Sequence, residues 1–160
     1  MFEIKGVKIG SLICFEDTFS STARESVNSG ARLLISQSND MWFDSDTEKL
    51  QHHANSVFRA IETRTPLIRV SNEGYMGVVL PTGKVLQLYA PEESIMREYV
   101  VPRSKDAPPT IYMLCGDWIL AIPSAIFVLC FIGYLSYKWF LGRKQNQVET
   151  SQEVQSDIEA

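Results

Sequence analysis

The sequence predicts a mixed α/β domain followed by one membrane-spanning helix, and three observations carry that prediction. Apolar runs and helical patterns come in the order strand, helix, strand, helix, then several strands. Ser45-Asp46-Thr47-Glu48 has the spacing of a capping box, which marks one helix start without ambiguity. From Ile119 to Tyr137, 19 residues pass without a charge. At 1.5 Å per residue that run crosses nearly all of the ~30 Å hydrocarbon core.

Val7 to Ile13 opens the α/β pattern. Val7, Ile9, Leu12 and Ile13 are interrupted only by small or positive residues, as in a buried strand. Glu3, Lys5 and Lys8 are read as part of the same strand. Residues 17–29 carry Phe19, Ala23 and Val27 at helical spacing, with Asp17 or Thr18 as a cap and Gly30 as the residue past its end. Ala31–Ser36 gives a second buried strand, and 37–45 a loop displaying Met41, Trp42 and Phe43. The helix begun at the capping box carries Leu50, Ala54, Val57, Phe58 and Ile61 on one stripe and stops near Thr65-Pro66. Strands follow at Leu67–Ser71, Tyr75–Leu80, Val85–Tyr89 and Ile95–Val101, with a turn at Pro81-Thr82-Gly83.

The boundaries drawn from this pattern are an α/β domain over 1–101, a linker and juxtamembrane segment over 102–117, a transmembrane helix over 118–141 and a tail over 142–160. Trp118, Tyr134, Tyr137 and Trp139 flank the span as interfacial aromatics do. Lys138, Arg143 and Lys144 follow it, whereas Arg103 and Lys105 precede it at greater distance and beside acids. That asymmetry predicts a cytoplasmic C-terminus. The tail is polar, acidic and without period, so disorder is expected there. Met1 runs directly into Phe2-Glu3-Ile4-Lys5, with neither a positive nor an apolar leader region, so no signal peptide is read.

A net charge of −4, with no basic cluster interleaved with aromatics, argues against nucleic acid as a partner. Three widely spaced cysteines suggest neither a disulfide framework nor a metal site. His52 and His53 are adjacent, so they cannot share a helix face as metal ligands do, and both are read as structural. Cys115 and Cys130 are read as inert packing residues. Cys14 differs: it stands where a strand stops and a helix is expected, facing the end where orphan N–H groups favour a thiolate. It is either a nucleophile or a small core residue.

The residues around it carry a resemblance. Ile13-Cys14-Phe15-Glu16 is followed by Gly30-Ala31 with Leu33-Leu34, Ser38-Asn39-Asp40-Met41-Trp42-Phe43, Gln51-His52, Arg59-Ala60-Ile61-Glu62, Pro66, Arg69, Asn72-x-Gly74 and Pro81-x-Gly83. Nine blocks in this order resemble the nitrilase superfamily, in its apolipoprotein N-acyltransferase branch. Phe15 stands where tyrosine is commoner, and Thr65 where arginine often precedes the proline.

The resemblance implies the second half of a nitrilase-like αββα sandwich, with apolar sheet left exposed. It implies acyl transfer through a thioester, without a cofactor or metal, with Cys14 as nucleophile and Glu16 as supporting acid. Asn39 and Asp40 end a strand where α/β sites gather, and either order the loop or line the site. Trp42 and Phe43 are core aromatics or a lipid-contacting lip; a lipid substrate favours the lip. The implied partners are a phospholipid acyl donor, a diacylglyceryl lipoprotein acceptor and the membrane, in a bacterial inner-membrane protein with its nitrilase-like domain in the periplasm. The family's glutamate base and oxyanion-binding lysine belong upstream of the cysteine, and Glu3, Lys5 and Lys8 match neither. The expectation is therefore a C-terminal part that is inactive alone and has a separately encoded N-terminal half as a candidate partner. A non-catalytic membrane-anchored half-domain is the alternative, and an amidase of small soluble substrates a third.

Overall fold

The computed structural model describes residues 1–90, 96, 98, 100–101 and 108–158, with side chains described as far as 143. It divides into two units, Met1–Gly116 and Asp117–Ala160. In the first, six strands form one sheet in sequence order: β1 (Phe2–Ile4), β2 (Val7–Ile13), β3 (Leu33–Asn39), β4 (Leu67–Asn72), β5 (Met76–Val79) and β6 (Val85–Tyr89). β2, β3 and β4 run parallel, and the remaining pairs are antiparallel.

Parallel neighbours need crossover connections, and here these are α1 (Ser20–Asn28) and α2 (Asp46–Thr63). The two helices touch each other and so lie on one face of the sheet, α1 over β2 and α2 over β4. Leu12, Leu34 and Leu67 point into that layer against Ala23, Ala60 and Val79, and all are fully buried. Each leucine removed from water there contributes on the order of 1.5–3 kcal/mol. The opposite face alternates with these positions. On it Ile13 is 61% exposed, Val70 42% and Phe2 43%, although Ile9 and Val78 are buried. The bare apolar sheet expected of half a sandwich is thus present in patches.

Several expectations shift. Lys5 and Gly6, both at positive φ, turn the chain back, so Glu3 sits on β1 and only Lys8 on β2. The stretch expected as one helix from residue 17 is a 3₁₀ turn, Cys14–Thr18, and then α1. Neither Asp17 nor Thr18 caps α1: Phe19 is its N-cap residue, and the Asp17 carboxylate is committed elsewhere. Gly30 does occupy the position past its end, at φ 101°. The second strand starts later and ends later than Ala31–Ser36, because its pairing with β4 continues to Asn39–Asn72. Of the strand expected over Ile95–Val101, residues 95, 97 and 99 lie outside the described residues, and 96, 98, 100 and 101 belong to no strand. A short helix, α3 (Ile111–Cys115), was not foreseen in the juxtamembrane stretch; Thr110 caps it by accepting from Met113 N–H.

In the second unit, α4 runs from Trp118 to Ile158. Its part Trp118–Arg143, 26 residues with mean hydropathy 2.2, is long and apolar enough to cross a membrane. Where the polar sequence predicts a disordered tail, the backbone stays helical to Ile158. An existing helix extends without a new nucleus, and Gln and Glu, frequent there, are good helix formers.

The capping box predicted from the sequence is present in full. Ser45 Oγ accepts from Glu48 N–H at 3.3 Å, and Glu48 Oε2 accepts from Ser45 N–H at 3.2 Å. Ser45→Ala removes one arm and is expected to lower unfolding stability by about 1 kcal/mol. Denaturant unfolding of the detergent-solubilised chain measures this, and Glu48→Gln, which keeps the reciprocal bond, should cost less.

Candidate active site

β2 ends at Ile13 in an extended conformation, and the next residue, Cys14, is left-handed at φ 53°. A non-glycine residue held there costs about 1–2 kcal/mol, and such conformations persist where surrounding contacts enforce them. The contacts here are local. Glu16 Oε2 accepts from Ile13 N–H at 2.8 Å, and Thr18 Oγ1 donates to Phe15 O at 2.7 Å. Glu16 thus closes the turn that carries the thiol. Cys14 is half-buried. The thiol opens a 3₁₀ turn and α1 begins only at Ser20, so the helix-dipole argument made from sequence does not apply to it.

Beneath this turn lies a buried quartet of charges that the sequence did not disclose. Asp17, from the turn, pairs with Arg69 Nη1 of β4; Asp40, from the end of β3, pairs with Arg69 Nη2 at 2.9 Å. His52 of α2 bridges the same two carboxylates, Nε2 to Asp17 Oδ1 at 3.1 Å and Nδ1 to Asp40 Oδ1 at 2.9 Å. Ser36 and Ser56 donate to Asp17 Oδ2 at 2.9 and 2.7 Å, and Ser38 donates to Asp40 Oδ1. All four charged side chains are at most 3% exposed.

The protonation states follow from the pairing. Burial alone would push both carboxyl groups up, but the His52 hydrogen bonds and the Arg69 charge, with Ser56 at Asp17 and Ser38 at Asp40, hold them below the ordinary carboxylate range. Burial would likewise push His52 down, but its bonds to Asp17 and Asp40 hold it up, at about 9. His52 is therefore doubly protonated, and the quartet is two anions against two cations. The 3.0 Å approach of Arg69 Nη2 to His52 Nδ1 is then a contact of two cations, because the Nδ1 proton points to Asp40. His53 beside it has the opposite fate: burial and the Arg69 charge hold it down, at about 4, and it stays neutral.

The β4–β5 connection closes over Asp40. A Cβ on Gly74 would run into Asp40 Oδ2 and Ser71 Oγ, so only glycine allows the backbone to pass there.

The loop after β3 places the other predicted residues. Asn39 Oδ1 accepts from Met41 N–H at 3.3 Å and from Asn72 Nδ2 at 3.2 Å, so its side chain orders the loop. Trp42 Nε1 donates to Asn39 O at 2.8 Å while its ring stays 60% exposed, stacked on Phe43 at 4.2 Å between centroids. Phe43 is half-buried and meets the His52 ring edge-on at 5.4 Å between centroids; Phe15 lies against the same imidazole, tilted, with centroids 5.9 Å apart. Cys14 and Glu16 are thus tied through Phe15 and Asp17 to the loop bearing Asn39, Trp42 and Phe43. Among the described residues, no lysine or carboxylate hydrogen-bonds the Cys14 thiol, and no group of three or more His, Cys, Asp or Glu side chains could hold a metal ion. The signal that could have found the quartet was present: Asp40, His52 and Arg69 all fall in the motif blocks.

Residues 1–97 match the family model described as carbon-nitrogen hydrolase. The chain is 30% identical over 134 residues to apolipoprotein N-acyltransferase 1 of Treponema denticola, covering 82% of this chain and 25% of that protein. It is 37% identical over 112 residues to the apolipoprotein N-acyltransferase of Bdellovibrio bacteriovorus, covering 70% of this chain and 20% of that protein. The chain therefore spans a quarter or less of the length of these relatives. An amidase structure from Nesterenkonia sp. superposes with a TM-score of 0.48 at 20% identity, over 57% of this chain and 36% of that one.

The quartet makes stability depend on pH with a definite sign. Carboxyl groups held below 3.8 contribute fully above it and lose their contribution as pH falls. An imidazole held at about 9 rather than 6.5 contributes fully below 6.5 and loses its contribution as pH rises through 9. Unfolding of the solubilised chain should therefore show a stability plateau from about pH 4 to 6.5, with a decline on either side. Asp40→Ala leaves buried cations without their anion and is expected to cost about 3–5 kcal/mol at the plateau.

Proposed function

The chain belongs to the carbon-nitrogen hydrolase family, and from that premise we propose that it is the nucleophile-bearing part of an apolipoprotein N-acyltransferase. The observation that carries the proposal is Cys14 itself, half-exposed and left-handed at the C-terminal end of the first of three parallel strands. Chain ends of that kind are where α/β folds gather reacting groups. The names and identities of the relatives supply the reaction class.

In this reading the Cys14 sulfur attacks the acyl ester carbonyl of a phospholipid. A C–S bond forms, the tetrahedral oxyanion collapses, the ester C–O bond breaks, and the lysophospholipid leaves as an alcohol with the proton that the thiol gave up. The α-amine of a diacylglyceryl lipoprotein then attacks the thioester. A C–N bond forms, the C–S bond breaks, and the amine proton returns to sulfur. Glu16 holds the turn, and its free oxygen faces solvent where an incoming amine could be received. The proton carrier and the oxyanion-binding cation are taken from the part of the relatives' length that this chain does not span, in the same chain or in a separate N-terminal half. Alone, the chain is then without turnover. Trp42 and Phe43 form the lipid-contacting lip, α4 anchors the protein in the bacterial inner membrane, the α/β unit is periplasmic and the C-terminus cytoplasmic.

A non-catalytic half-domain is favoured by one observation, the lack of any lysine or carboxylate on the thiol among the described residues. The two readings separate in one experiment. With the part of the relatives' length that this chain does not span supplied by fusion or co-expression, Cys14 should carry a hydroxylamine-sensitive acyl adduct detectable by mass spectrometry. Cys14→Ala should abolish it and Cys14→Ser nearly so, because a serine hydroxyl keeps its proton. Cys115→Ala and Cys130→Ala should retain it. An adduct on Cys115, or one that survives Cys14→Ala, overturns the assignment, and no adduct at all favours the half-domain. Reporter fusions at residue 160 should be active only with a cytoplasmic enzyme; an active periplasmic reporter reverses the topology.

A further inference from the structure

The quartet and the aromatic rings around it form one object with two handles. From the turn carrying Cys14, Asp17 reaches His52 Nε2 and Phe15 lies against the His52 ring at 5.9 Å. From the loop after β3, Asp40 reaches His52 Nδ1 and Phe43 lies against the same ring at 5.4 Å. Trp42, 60% exposed, continues the column outward by stacking on Phe43 at 4.2 Å. Arg69 also touches both carboxylates, but it ties them to β4 and meets neither aromatic ring. His52 is the single side chain in this group that meets a carboxylate and a ring from each of the two segments.

We propose that His52 is a positioning residue that fastens the Trp42–Phe43 loop to the turn carrying Cys14, so that a contact at the exposed aromatic lip is felt at the thiol. The imidazole is 3% exposed on the middle of α2, so neither segment moves far without changing its contacts. A doubly protonated ring is also attracted to aromatic faces, which adds to its two ion pairs. The left-handed Cys14 needs such enforcement, since its own backbone preference opposes the conformation. An acyl chain resting on Trp42 would then reach the nucleophile through packed groups rather than by touching it.

The inference rests on Cys14 being the reactive thiol, but its test needs no lipid. In the full chain carrying Cys115→Ala and Cys130→Ala, Cys14 is the sole thiol, and its alkylation by iodoacetamide in detergent micelles gives a rate constant. Phe43→Leu in that background should raise the rate by about fivefold, the size expected for coupled neighbours. With His52→Gln also present, Phe43→Leu should change it by less than about twofold. An equal effect in both backgrounds, or none with His52 intact, overturns the proposal.

Should His52→Gln fail to fold, pH replaces it. The Phe43→Leu rate ratio is taken at about pH 7 and at about pH 10, above the value of about 9 at which His52 gives up its second proton. Taking the ratio at one pH removes the dependence of alkylation on pH that the two proteins share. The groups facing His52 are Asp17 of the turn, Asp40 of the loop and Arg69 of β4, and its neighbour on α2, His53, is neutral at both values. The ratio should fall towards one at the higher pH; a ratio that stays at its neutral value overturns the proposal. A chain that never forms a thioester fails the earlier test and still decides this one.

Discussion

Two carboxylates buried against one guanidinium and one imidazolium organise the end of this sheet that carries Cys14. Asp17 follows β2, Asp40 follows β3, Arg69 lies on β4, and His52 lies on the helix joining β3 to β4. The cluster therefore joins the chain beyond β2 and β3 to the middle of β4. A set of buried ions is not cheap, since every member loses its water. It persists here because the charges balance and three serine hydroxyls add hydrogen bonds to Asp17 Oδ2 and Asp40 Oδ1. Such a cluster has one good arrangement. Apolar packing would hold the strands together with more tolerance, but it would not fix where the chain leaves each of them.

That constraint explains local features that otherwise look unrelated. Asp17 cannot cap α1 while it pairs with Arg69, so the chain bridges β2 to α1 by a 3₁₀ turn with Phe19 as the N-cap residue. Arg59 reinforces the same point, donating to the carbonyls of Asp17 and Thr18 at 3.2 and 2.9 Å while its Nε pairs with Glu62 at 2.8 Å. Gly74 is required because the β4–β5 connection passes directly over Asp40. The left-handed Cys14 is the residue on which these demands converge. It lies between an extended strand end and a turn pinned from below by Asp17 and closed from above by Glu16.

What the sequence disclosed, and what it withheld, divides along the range of the interactions. The capping box at Ser45 and Glu48 is local chemistry at fixed spacing, and it forms as read. The apolar helix from Trp118 is a one-dimensional property of length and composition, and it is legible from both. The α/β class follows from alternating patterns. Asp17, by contrast, looked like a helix cap, because its spacing is right and its true partner lies 52 residues further along the chain. His52 and His53 looked like equivalent structural residues. Nothing in adjacency reveals that Asp17 and Asp40 hold one charged, at about 9, while burial and Arg69 hold its neighbour neutral, at about 4. Charge clusters assembled by tertiary contact leave no period to read.

The open side of the sheet bears on how far this unit can act by itself. Both crossover helices lie on one face, and on the other Ile13, immediately before the nucleophile candidate, is 61% exposed. Ile13 N–H is also the group that Glu16 holds to keep the Cys14 turn closed. Apolar surface of this kind is normally covered in a finished fold. Whatever covers Ile13 would press on the residue whose backbone sets the direction of the thiol. Completion of the sheet's second face and orientation of the Cys14 thiol are then parts of one packing problem. The charge quartet fixes the turn from the helical side, and the covering element would fix it from the other.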